Sequence, residues 1–319
     1  MDEKEILDLS DRYVKSVVLP DGGVVFNKDD HMRLLSNGAN FPNFSHSSLC
    51  AALAASVKTI SPTKNIYYIH EDHLAMWSWS AQIVAHCDTE YFEMEEMDLK
   101  ELVQAIVHTF KARNNTPEHP PRDQFPYTAE GSKEFASRRL AALKRVKLPS
   151  SIEQYLQFKT NIGSYLSFPL LEGILKKRCC DYVDYSGGVR KDFSVPGRSK
   201  CRNYVTGGRI SSVGDLLHLY FDAVANEFER KYFGIIMDHL NSFSEDEHPF
   251  SMVYRWRNQT LHGEFSHVTV GGVLFSMAML IAISSLGDRF EALRIKRKSL
   301  VEFAPPGTAP WIFYPPINR

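Results

Sequence analysis

The chain holds little of what marks the commonest enzyme classes. It has no G-x-x-x-x-G-K-[ST] loop, no dinucleotide-binding glycine fingerprint and no G-x-S-x-G elbow. That removes the usual signatures of nucleotide hydrolases, nicotinamide enzymes and α/β-hydrolases. Cysteine is scarce: the five residues Cys50, Cys87, Cys179, Cys180 and Cys201 form no C-x-x-C pair and are odd in number. Sequence neighbours such as Cys179 and Cys180 rarely bridge each other, so a disulfide framework is not expected and a reducing, cytoplasmic setting is. The first residues, Met1-Asp2-Glu3-Lys4-Glu5, are acidic and lack the apolar stretch of a secretory signal. Charge of one sign is also missing. The net charge is −1, which excludes a uniformly basic nucleic-acid binder. The imbalance is local: residues 1–150 hold 17 Lys+Arg against 21 Asp+Glu, and residues 151–319 hold 20 against 17. A polyanion contact is therefore better placed in the second half.

A long charge-free run is present, from Val268 to Leu286. It sits at the short limit for a membrane span and carries serines and glycines. A buried central helix fits it better, and no membrane association is expected. The apolar content of the whole chain, 44% of 319 residues, is that of a globular chain long enough for two domains.

Along the chain, Tyr13–Leu19 and Val24–Phe26 flank Pro20-Asp21-Gly22-Gly23, which predicts a small β-hairpin. Helices are predicted over Ser45–Val57 with Ser45 as N-cap, over Leu74–His86, and over Asp98–Lys111. The stretch Ile66–Ile69 reads as a short strand or a helix start. Asn114–Asp123 is rich in Pro and Asn and breaks the helical pattern. A basic helix follows near Ser132–Lys147. In the second half, helices are predicted over Ser151–Cys180 with a kink at Pro169, over Val213–Tyr232, over Phe233–Phe243, from about Pro249, and over Val268–Leu286. The expected class is mainly α. A mostly helical N-terminal domain with a small hairpin (1–148) precedes a helical bundle (149–298) and an extended tail (299–319).

The string with chemical content is Arg257-Asn258-Gln259-Thr260-Leu261-His262-Gly263. An Arg and a His five apart arise about once by chance in a chain this long, but the Asn and Gly beside them are far more restrictive. Imidazole can give or take a proton near neutral pH, so His262 is the candidate general acid/base. The Arg257 guanidinium is a fixed, always-charged fork for phosphate oxygens. Asn258 stands four residues before His262, on the same helical face, where it can orient the ring or donate to phosphate. An ordinary helix-surface pair is the plain alternative.

This string resembles the R-x4-6-H signature of the HEPN superfamily, and the stretch Phe168-Pro169-Leu170-Leu171-Glu172-Gly173-Ile174-Leu175 resembles that family's early helix with its acidic residue. The resemblance covers about residues 151–290. It implies a four- to five-helix bundle that forms a homodimer with the two motifs facing each other. It also implies metal-independent RNA cleavage to 2′,3′-cyclic phosphate and 5′-OH ends, with no cofactor, in a toxin–antitoxin or anti-phage setting. An antitoxin or trigger protein would then be a further partner. Some members are inactive and serve as dimerisation or RNA- or protein-binding modules. On this resemblance Glu172 and His267 are accessory residues, Glu172 mainly as a helix-aligning acid.

Two weaker clusters remain. Residues Ser186–Arg209 hold Arg190, Lys191, Arg198, Lys200, Arg202 and Arg209 against Asp192 alone, interleaved with Phe193 and Tyr204 and preceded by Tyr185. They are candidates for gripping single-stranded RNA, or form a solvated loop. Arg294–Lys298 reads as a basic helix end that needs no function. His70-Glu71-Asp72-His73 with His86-Cys87-Asp88 matches no metal-ligand spacing, so no metal is expected. Trp77 and Trp79 read as core.

Overall fold

A computed structural model describes residues 1–17, 40–60, 71–86, 91–111, 128–145, 150–197, 200–242, 247–262 and 270–303. Among these the fold is mainly α, with eleven α-helices and one two-stranded antiparallel sheet. The helices are α1 (Glu3–Val17), α2 (His46–Ile60), α3 (Glu71–His86), α4 (Met97–Lys111), α5 (Ala129–Arg145), α6 (Ser150–Arg178), α7 (Val213–His218), α8 (Glu227–Asn241), α9 (Pro249–Leu261), α10 (Val270–Ser284) and α11 (Arg289–Phe303). The strands are β1 (Phe193–Val195) and β2 (Arg202–Tyr204).

The charge-free run forms α10, and every residue of that helix is buried. Among the described residues no single helix is long and apolar enough to cross a membrane. Helix α10 is surrounded: α6, α2, α3 and α8 all pack on it. The closest approach, to α6, depends on small residues. A Cβ at Gly271 would lie 2.8 Å from Ser164 N and Oγ. Ser167 Oγ, which donates to Gly163 O, also lies 3.2 Å from Gly271 O. Two further glycines of α6 admit side chains of α4: Gly163 lies against Phe110 and Gly173 against Leu99. Helices α2 and α10, from either side of the border expected at 148/149, lie against each other, and buried residues from both halves form one cluster.

The polar groups inside this core are arranged in sequence. Trp77 Nε1 donates to Ser276 Oγ at 2.9 Å. Ser56 Oγ gives its proton to Leu53 O at 2.6 Å, so the 2.9 Å contact between the two serines has Ser276 as donor. Thr59 likewise gives its hydroxyl proton to Ser56 O, which leaves His73 Nε2 to donate to Thr59 Oγ1 at 2.7 Å. His73 is thus a hydrogen-bonded core residue, and Trp77 and Trp79 are fully buried. His46, at the start of α2, lies between the rings of Phe228 and Phe290 and donates from Nε2 to Ile283 O at 2.7 Å. One imidazole therefore joins α2, α8, α10 and α11.

Several predicted elements differ. Residues Tyr13–Val17, expected in a hairpin strand, form the last turn of α1; residues 18–39 lie outside the described residues. Asp2 starts that helix by accepting Glu5 N–H at 2.8 Å, and Ile6 is buried, so tertiary packing on α2 outweighs the β-branched preference. The fold's hairpin is instead β1–β2, in register Phe193↔Tyr204 and Val195↔Arg202. The helix expected over Val213–Tyr232 is broken. α7 runs into a π-helical turn (Leu219–Val224), and α8 starts afresh at a capping box in which Asn226 and Glu229 exchange bonds. The expected element at Phe233–Phe243 belongs to α8 as far as Asn241, and Phe243 lies outside the described residues. Residues 299–303, expected in an extended tail, complete α11. The basic run Arg294–Lys298 therefore lies within α11 and not at a helix end. Its cations are used in packing: Arg294 donates to Pro42 O, Lys298 to Asn43 Oδ1, and buried Arg297 to Gln82 Oε1. The expectations for Ile66–Ile69 and Asn114–Asp123 fall outside the described residues.

Candidate functional site

Helix α9 begins with His248 as N-cap and Pro249 at its first position, where a missing N–H costs nothing. Pro249, Phe250, Met252, Val253, Trp256 and Thr260 are buried. At about 100° per residue these occupy one side, and Asn258 stands at the middle of the opposite side. Tyr254 and Leu261, 40% and 52% exposed, flank Asn258 on that open face. His262 is the C-cap; its N–H donates to Asn258 O at 3.0 Å, and its side chain is exposed. The three motif residues thus sit in the last two turns of a helix that is anchored along its inner side.

Arg257 lies at the edge of that face and turns toward α6. Its Nη2 is 3.9 Å from Glu172 Oε2, while Lys176 Nζ is 2.8 Å from Glu172 Oε1. The fold therefore brings Glu172, singled out through the resemblance of its stretch to the HEPN family's early helix, to the motif arginine. Glu172 is shared, and Lys176 holds it more closely. Lys176 was not anticipated, although Glu172 and Lys176 stand at the i,i+4 spacing of a helical ion pair. At 3.9 Å Arg257 is ion-paired without a hydrogen bond, so its donor fork is available to an incoming anion. The Tyr185 phenol is raised above its ordinary pKa by partial burial, then by Asp98, Glu96 and Glu172. The start of the basic connector therefore stands in the field of the carboxylate that Arg257 contacts. His267 and Gly263 fall outside the described residues.

The connector itself is folded. Asp184 accepts Ser186 Oγ and Gly188 N–H, which pulls its carboxyl below the usual range. Gly187 has φ +87°, and a Cβ there would lie 2.6 Å from Ile210 O, so only glycine fits this turn. Arg190 and Arg209 each donate to a backbone carbonyl, of Cys180 and Ser186. Arg202 Nη1 pairs with Asp215 Oδ2 at 2.9 Å, and Tyr204 OH donates to the same oxygen at 2.6 Å. Lys191 stands over the Tyr182 ring at 4.7 Å, and Lys200 is exposed. Arg198 lies outside the described residues. The interleaved aromatics stack on each other: Phe193 and Tyr204 are 4.9 Å apart at 17°. Tyr185 is the more open ring, at 49% exposure. Among the described residues no group of three His, Cys, Asp or Glu side chains is arranged to hold a metal ion.

Comparison with protein-family models, with curated proteins and with solved structures finds no match to this chain.

Proposed function

We propose that the chain is a metal-independent endoribonuclease of HEPN type that acts as a homodimer, in a toxin or anti-phage role. The observation behind this reading is the meeting of α9 and α6: Arg257, Asn258 and His262 end one helix, and Glu172 of the other lies 3.9 Å from Arg257. In the reaction His262 takes the 2′-OH proton or protonates the 5′-oxygen leaving group, and a second His262 across the dimer does the other. Attack of the 2′-oxygen on phosphorus forms the cyclic phosphate and breaks the P–O5′ bond. Arg257 carries the charge that builds on the phosphorane oxygens. Glu172 holds Arg257 at the helix junction in the resting protein. The exposed connector cations, Lys200 and the outer faces of Arg190 and Arg209, are the candidates for phosphate contacts beyond the scissile one.

A second reading is a HEPN-like module without catalysis, which dimerises or docks RNA or protein. The observation favouring it is the exposed pair Tyr254 and Leu261 beside the motif, which suits a contact surface as well as an active site. The two readings separate in one experiment: RNA digestion in EDTA by wild type, Arg257→Ala and His262→Ala, with product ends mapped. Cyclic-phosphate and 5′-OH ends from wild type alone support the nuclease. Cleavage that survives Arg257→Ala removes the proposed site. A dimer that binds RNA without cutting it supports the second reading.

A further inference from the structure

We propose that the His218–His248 pair is a proton-sensitive cap on α9, so that acidification loosens the start of the helix carrying Arg257 and His262. His248 is the N-cap of α9, and its Nδ1 accepts Phe250 N–H at 3.3 Å. Only an unprotonated Nδ1 has a lone pair for that bond. The first turn of a helix also carries the positive end of its dipole, so an imidazolium there loses an acceptor and adds a like charge. An ordinary cap, Ser, Thr, Asn or Asp, does not titrate between pH 5 and 8. A histidine cap does.

The surroundings sharpen this. His218, at the end of α7, stacks on His248 with ring centroids 4.6 Å apart and planes 29° apart. His218 Nδ1 donates to Asp222 Oδ2 at 3.2 Å, across the π-helical turn. Phe250, itself fully buried, meets both imidazoles edge-on. Two neighbouring charges among the described residues are engaged elsewhere. Arg230 of α8 donates to the carbonyls of Phe221 and Asp222, and Glu247 is taken by Arg255 of α9. Asp222 thus bonds His218 and acts on His248 only through its field. Burial, then the neighbouring His218, hold the His248 imidazole below its ordinary pKa, with Asp222 opposing them.

The sign follows. A histidine whose folded pKa lies below its unfolded value supplies stability that is present above the unfolded value and is lost as pH falls. The cap is therefore intact at neutral pH and is released in acid. This holds whatever chemistry the far end of α9 performs.

The test is amide exchange on the full chain at about pH 7.5 and about pH 5, corrected for intrinsic rates, in wild type and His248→Asn. Asn caps a helix and does not titrate. In wild type, protection of the amides from Phe250 to Trp256 should fall about tenfold in acid relative to that of α10. In His248→Asn that extra loss should vanish. Equal pH dependence in the two proteins, or none in wild type, overturns the proposal. If His248→Asn does not fold, shown by lost α10 protection at neutral pH, an NMR titration of wild type decides. A His248 ring titrating below about 6.5 upholds the cap, and one at or above that value overturns it.

Discussion

Replacing Gly271 with alanine sets two effects against each other. Alanine at a helix interior usually gains about 1 kcal/mol over glycine, because the unfolded chain has less freedom to lose. At Gly271 the new methyl would lie 2.8 Å from Ser164 N and Oγ and 2.9 Å from Ser164 Cα. Normal contact is about 3.5–4 Å, so the helices must part by roughly half an ångström or more. Two of the three atoms belong to the α6 backbone and cannot rotate aside. Such overpacking costs about 1–3 kcal/mol. Separation also strains the Ser167 Oγ contact with Gly271 O, at 3.2 Å, worth about 1 kcal/mol. The clash and the strained contact outweigh propensity, and Gly271→Ala should lose about 1–3 kcal/mol. Gly234, in α8, has nothing within 4 Å of its added Cβ, so propensity acts alone. Gly234→Ala should gain about 0.5–1 kcal/mol. Urea unfolding of the two variants beside wild type, with a shared slope, reads the opposite shifts in midpoint. A Gly271→Ala variant as stable as wild type would refute the close α6–α10 contact.

Glu229 is the second place where a single change should be costly. Its carboxylate is fully buried, pairs with Arg178 at 2.7 Å and accepts Asn226 N–H at 2.9 Å. Glu229→Ala leaves the arginine without its carboxylate and removes half a capping box. It should cost about 3–5 kcal/mol in the same urea assay; a loss below about 1 kcal/mol would contradict the pairing. His239 supplies a pH prediction. Burial, with Lys58 adding to it, pushes its pKa down to about 4. The folded pKa is below the unfolded one, so stability is full above about pH 6.5 and falls toward pH 4, by at most about 3 kcal/mol. His239→Gln should flatten that part of the urea midpoint–pH curve, and an unchanged curve would refute the assignment.

How much of this was legible in the sequence varies with the physics of each segment. Helix α4 was readable because its period of 3.6 matches a one-sided environment: Leu99, Val103, Ile106 and Val107 are all buried. Ser45 was readable as the start of α2 because capping is local, and its Oγ accepts Ser48 N–H at 3.2 Å. The break at Ala225–Asn226 was missed although its signal was present, since Asn226-Glu227-Phe228-Glu229 is a capping box written in order. Gly287, at φ +54°, ends α10 and turns the chain into α11, and the charge density of Arg294–Lys298 disguised that helix as an end. The end of α1 was misread for another reason. Tyr13–Val17 carries strand-like residues, yet they continue a helix that packs as a whole on α2, a contact no local pattern encodes. At the site, chemistry and spacing picked out Arg257, Asn258 and His262 as one string, and Glu172 entered separately, through the resemblance of its stretch to the HEPN family's early helix. That Arg257 and Glu172 meet is a property of how α9 crosses α6.

That meeting bears on what Arg257 is for. Its side chain is 29% exposed and Glu172 is 21% exposed, at a separation of 3.9 Å. A partly solvated pair at that distance contributes well under 1 kcal/mol. Glu172 has a closer partner in Lys176, at 2.8 Å, and would remain compensated if Arg257 were lost. Fold stability therefore gives little reason for an arginine at this position. The contrast with Arg178 is direct, since its carboxylate partner Glu229 is fully buried and lies 2.7 Å away. Arg257 is held near a carboxylate without being consumed by it, which is the state required of a cation awaiting an anionic ligand. Arg257→Ala should accordingly leave the unfolding midpoint almost unchanged. Any loss of RNA cleavage in that variant would then be a loss of chemistry or binding and not of structure.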